Sequence, residues 1–115
     1  MTFAPFFLFL NQLKTLHWLT KSYAHHKILD DAYEDFSDKI DEFVESTLGM
    51  NNPASFKPVS IAFEMPEDEI SYLFESYYDS FVLSIRKYAN TSALESLIDD
   101  FDNIANKTIY LLRMK

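Results

Sequence analysis

Four stretches of the chain repeat apolar residues at three- and four-residue steps, the spacing of one face of an α-helix. The first runs from about Pro5 to Lys21 and carries Phe6, Phe9, Leu10, Leu13, Leu16 and Leu19. Pro5 suits a first-turn position, where no amide hydrogen is needed. The second runs from about Ala24 to Leu48 on the stripe Leu29, Tyr33, Phe36, Ile40, Phe43, Val44 and Leu48, and Gly49 is the expected C-cap. The third is expected to start at Pro66 or Glu67. Its stripe is Ile70, Leu73, Phe74, Tyr77, Phe81 and Ile85, with Glu67, Asp68 and Glu69 in a first turn whose dipole favours anions. Asn90 and Thr91 break the pattern. Thr91 or Ser92 then caps the fourth helix, with Glu95 at capping-box distance from Ser92. Its stripe is Leu94, Ile98, Phe101, Ile104, Ala105, Ile109 or Tyr110, and Leu112, and Arg113 and Lys115 fall at its negative end.

The connections set the topology. Only a few residues around Ser22 and Tyr23 separate the first two helices, so these should form an antiparallel hairpin. Residues 50–66 read differently. Asn51, Asn52, Pro53, Pro58 and Pro66 break any helix, and Val59, Ile61 and Phe63 alternate as in an extended segment. That length can run the height of a bundle, so the third helix need not oppose the second. The expectation is one all-α domain over 1–115: a left-handed four-helix bundle with a long crossover between the second and third helices.

Composition narrows this further. One Gly in 115 residues argues against a fold built on many tight β-turns. Apolar residues at 48% and charged residues at 24% are a globular balance. Acids outnumber bases 18 to 10, a net charge of −8, which disfavours binding to DNA phosphates and suits cations or basic partners. The absence of Cys excludes disulfides and thiolate-ligated metals. The apolar run from Ala4 to Leu10 is far short of the roughly 20 residues of a membrane span. With neither a basic start nor a small-residue cleavage site, no signal peptide is expected, and the expected location is the cytoplasm.

The candidate chemistry lies in the hairpin. All three histidines, His17, His25 and His26, fall within ten residues and flank its turn. Imidazole is a common ligand for iron, zinc and other transition metals. On an ideal helical wheel, His26, Asp30, Asp41 and Glu45 line one edge of the second helix's apolar stripe, at about 60°, 100°, 120° and 160° from Leu29. Asp30 and Asp41 are nevertheless about 16 Å apart along the axis. His17, His26 and Asp30 therefore cannot share one metal centre with Asp41 and Glu45 of the same chain. Two antiparallel copies could bring the two groups together across a two-fold interface. The Glu-x-x-His pairs of an intra-bundle di-iron site are absent, since Lys14, Ser22 and Tyr23 stand three residues before the histidines. Eight of the sixteen positions from Asp30 to Glu45 are acidic, so a plain solvated face competes with a ligand set.

Leu16-His17-Trp18, His26 with Asp30, and Asp41 with Glu45 resemble the ferroxidase signature of the Dps-type mini-ferritins of the ferritin-like superfamily. Thr91-Ser92-Ala93-Leu94, Asp102, Lys107 and Tyr110-Leu111-Leu112 are similar to that family's last helix. The resemblance implies a ferritin-like bundle in a homo-oligomer, from a dimer up to a twelve-subunit shell. His17, His26 and Asp30 would come from one chain and Asp41 and Glu45 from its neighbour, with Trp18 beside the centre to take up stray oxidising equivalents. They would hold one or two irons, with zinc or manganese as substitutes. Fe(II) would be oxidised by peroxide or oxygen and stored as ferric mineral. The chain departs from the family in its shorter first turn, its Pro-rich crossover and the lack of a Lys-rich tail, as a compact, divergent or virus-encoded relative would. The competing expectation is a ferritin-like bundle without catalysis, serving as a structural or interaction module.

Overall fold

The four apolar stripes become four α-helices: α1 (Ala4–Leu19), α2 (Tyr23–Gly49), α3 (Ile70–Ile85) and α4 (Ser92–Leu112), with a short 3-10 turn over Arg86–Tyr88. The structure is a computed structural model and describes residues 1–50 and 69–114. The expected extended stretch and the expected Pro66 or Glu67 helix start fall on residues 51–68, and Lys115 on the terminus; all lie outside the described residues.

Contacts between helices give their directions. Phe9 meets Phe36 while His17 meets His26, so α1 and α2 are antiparallel, as the short turn requires. The Thr2 amide donates to the Tyr88 hydroxyl and Phe9 stacks on Phe81, so α1 also opposes α3. Lys39 pairs with Asp100 and Tyr78 donates to Asp102, which fits an α4 antiparallel to both α2 and α3. It follows that α2 and α3 run parallel across the bundle diagonal. Their N-termini share one end with the C-termini of α1 and α4.

A closed circuit of four phenylalanines ties the bundle together. Phe9 of α1 meets Phe36 of α2 edge to face at 4.8 Å, and Phe36 lies 6.0 Å from Phe101 of α4. Phe101 meets Phe81 of α3 at 5.6 Å, and Phe81 stacks on Phe9 at 4.4 Å. All four rings are buried. Ring pairs at these separations add about 0.5–1.5 kcal/mol each beyond area burial.

Several element ends differ from expectation. Glu69 has ψ near 141° and is the N-cap of α3, so that helix starts at Ile70 and has no acid in its first turn. Gly49 stays inside α2, and Met50 caps it. Of the two residues expected at the start of α4, Thr91 is the cap: its hydroxyl accepts from the Leu94 amide at 3.2 Å, which removes only the Ser92–Glu95 capping box. Leu48 and Tyr110 are exposed, and Thr47 and Thr108 take the buried positions beside them. A threonine tolerates this because its hydroxyl donates to the carbonyl one turn back, Phe43 and Ile104 respectively. No helix among the described residues is long and apolar enough to cross a membrane.

Candidate functional site

The α1–α2 turn is three residues long, and its polar atoms are used locally. The Thr20 amide donates to the Leu16 carbonyl, and the Ser22 amide to the Thr20 hydroxyl. Ser22 caps α2 by accepting from the His25 amide at 3.2 Å. This tight turn lays the end of α1 against the start of α2 and so brings His17 and His26 together.

The two imidazoles clasp the hairpin reciprocally. His17 Nδ1 lies 2.8 Å from the His26 carbonyl oxygen, and His26 Nδ1 lies 2.9 Å from the His17 carbonyl oxygen. A carbonyl only accepts, so each Nδ1 carries the hydrogen and donates it. The second of these bonds closes one of the last carbonyls of α1, which lacks a partner within its own helix. The rings stack with centroids 3.8 Å apart and planes 20° from parallel. In the neutral form of each ring Nε2 would carry a lone pair, and an Nδ1–H held by a carbonyl is the usual support for a metal-bound histidine. A metal–nitrogen bond of about 2.1 Å lies in the ring plane. Two rings stacked at 3.8 Å therefore cannot both reach one ion; each could serve a separate ion.

His17 is buried, while His26 and Asp30 are half-buried at the edge of the hairpin. Lys14 stands one turn before His17, its ammonium 4.2 Å from the centre of the Tyr33 ring. Trp18 is 71% exposed beside this group, and Tyr23, also exposed, lies over His26 at 6.5 Å. Asp41 and Glu45 are exposed on the far half of α2, with Asp41 about 22 Å along the axis from His26. Among the described residues, no three His, Asp or Glu side chains converge to hold an ion. Within one chain the structure thus joins His17 to His26 and leaves Asp41 and Glu45 apart from them.

One buried polar pair escaped the sequence reading. Tyr78 of α3 is buried and donates to Asp102 of α4. Burial and the Asp102 carboxylate push its phenol well above the ordinary tyrosine range. The signal was available only as the Tyr77-Tyr78 doublet, where period alone favoured Tyr77.

The model of a family described as a family of unknown function (DUF5856) matches residues 17–112. The chain is 32% identical over 99 residues to an uncharacterized 14.6 kDa protein in the mobD-ri intergenic region of Enterobacteria phage T4, covering 86% of this chain and 75% of that relative. No solved structure matches.

Proposed function

The chain belongs to the DUF5856 family; from its own residues we propose that it is a ferritin-like bundle that binds and oxidises Fe(II) between two copies of itself. The observation that carries this reading is the histidine clasp, which leaves Nε2 of both His17 and His26 free to ligate. The helix directions add support, since one long connection between parallel second and third helices is the ferritin-like arrangement.

The numbering along α2 supplies the missing half. A two-fold axis between the levels of residues 35 and 36 would set antiparallel α2 helices in one register. It would place His26 level with Glu45 of the other copy, Asp30 level with Asp41, and Tyr23 level with Leu48. Tyr23 and Leu48 are exposed apolar residues that such a contact would cover. Asp30 facing Asp41 would repel unless a cation lay between them, so the dimer itself should depend on metal.

In this reading the histidines hold separate ions, and the carboxylates of Asp30, Asp41 and Glu45 complete each set. Hard carboxylate oxygens favour Fe(III) over Fe(II), which drives oxidation. Two Fe(II) ions give one electron each to hydrogen peroxide, which takes two protons and leaves as water. Trp18 stands next to His17 in sequence and is exposed to oxidising equivalents.

The test is anaerobic Fe(II) titration with mass measurement before and after metal. Metal-dependent dimers that oxidise iron are expected. His17→Ala and Glu45→Ala should each abolish oxidation, and mixing them should restore part of it. A monomer at micromolar concentration with and without Fe(II) overturns the reading. That outcome favours the interaction-module alternative, whose supporting observation is that the two histidines already hydrogen-bond one another.

A further inference from the structure

The end of the bundle that holds the start of α2 and α3 carries a second feature, separate from the histidine clasp. Because α2 and α3 are parallel, their N-termini open onto one cavity of about 490 Å³, lined by Ala24 and His25 of α2 and by Ile70 and Ser71 of α3. Neither helix has an acidic residue in its first turn, and the Glu69 side chain makes no capping hydrogen bond to α3. The first amides of a helix have no acceptor within it, and its dipole adds partial positive charge.

An independent observation is Ser71. It is 8% exposed and lines this cavity, yet among the described residues its hydroxyl has no hydrogen-bond partner. No side-chain polar atom of the described residues is both sealed from solvent and unpartnered, so the hydroxyl of Ser71, a residue that lines this cavity, keeps access to solvent. Arg113 at the end of α4 also lines the cavity, with one guanidinium nitrogen on Glu75 at 3.1 Å. Guanidinium carries five N–H donors, so others stay available.

We propose that this cavity binds a phosphate group, free or as a small monoester, on the first-turn amides of α3, the Ser71 hydroxyl and the Arg113 guanidinium. The uncapped amides at the start of α3, with a hydroxyl and a guanidinium, are chemically matched to a tetrahedral oxyanion, whereas the His25 amide of α2 is already held by Ser22. Glu69, exposed at the rim, opposes the anion and sets a moderate affinity.

The test is amide NMR of the full chain titrated with inorganic phosphate, with glycerol 3-phosphate in parallel and sodium chloride as control. Saturable millimolar shifts confined to Ala24, His25 and residues 70–72 are expected. Ser71→Ala and Arg113→Gln should each weaken binding about tenfold, and Glu69→Gln should tighten it. Arg113 is exposed, so its variant keeps the fold while testing the site. Glycerol 3-phosphate binding at least tenfold tighter assigns an organic monoester; equal affinities assign free phosphate. Shifts scattered over surface lysines, no shift, chloride acting equally, or affinity unchanged in both Ser71→Ala and Arg113→Gln overturns the proposal.

Discussion

Tyr78 and the histidine pair show how buried and half-buried polar side chains are held by hydrogen bonds. The Tyr78 phenol gives its hydrogen to Asp102, and burial favours its neutral form. A group whose pKa is raised on folding stabilises fully below its unfolded value, about 10 for tyrosine. Above that pH the unfolded chain ionises first, so stability should fall. Chemical denaturation from pH 7 to 11 should show a loss beginning near pH 10 that is smaller in Tyr78→Phe. At pH 7 that variant should cost about 1.5–3 kcal/mol, the worth of a hydrogen bond to a charged group. The clasp gives a second expectation. His26→Ala removes the donor that closes the His17 carbonyl, together with the partner of the His17 ring. Thermal denaturation should report about 1–3 kcal/mol lost.

Helix ends decide the next scale. Gly49 does not act as a left-handed cap: it ends α2 in helical conformation, and a Cβ placed there meets nothing within 4 Å. Gly49→Ala should therefore stabilise by about 0.5 kcal/mol, read as a raised denaturation midpoint. Had the residue been a left-handed cap, the same change would destabilise. At the other end of the chain, Thr91→Ala should cost about 1 kcal/mol, because the Leu94 amide loses its acceptor. Ser92→Ala should cost much less, since Ser92 lies inside α4.

At the scale of the whole molecule the phenylalanine circuit joins all four helices, so its members should act cooperatively. Phe36 contacts Phe9, Phe74, Tyr78 and Phe101, from the three other helices. Phe36→Ala should cost about 3–5 kcal/mol, and urea denaturation should show it with little change in slope unless the bundle loosens. The metal reading belongs to this scale as well. On the proposed reading a second copy would complete the ligand set that two histidines begin, so concentration and metal should act together on stability.

The sequence alone carried the four helices of the described residues, the hairpin and most of their core. Apolar steps of three and four residues fix which face of a helix is buried whatever its neighbours are, and a three-residue turn allows only an antiparallel pair. It also placed His17 and His26 near one another, because sequence-local geometry is short-range. Tertiary structure decided what depends on atoms from distant segments. Tyr78 rather than Tyr77 is buried, because Asp102 of α4 stands opposite it. Thr47 and Thr108 are inside because helical carbonyls accept their hydroxyls. The stacked geometry that keeps both imidazoles from one ion depends on ring orientation, which spacing does not encode. The cavity at Ser71 exists only because α2 and α3 run parallel and begin at the same end, a relation between segments nearly fifty residues apart.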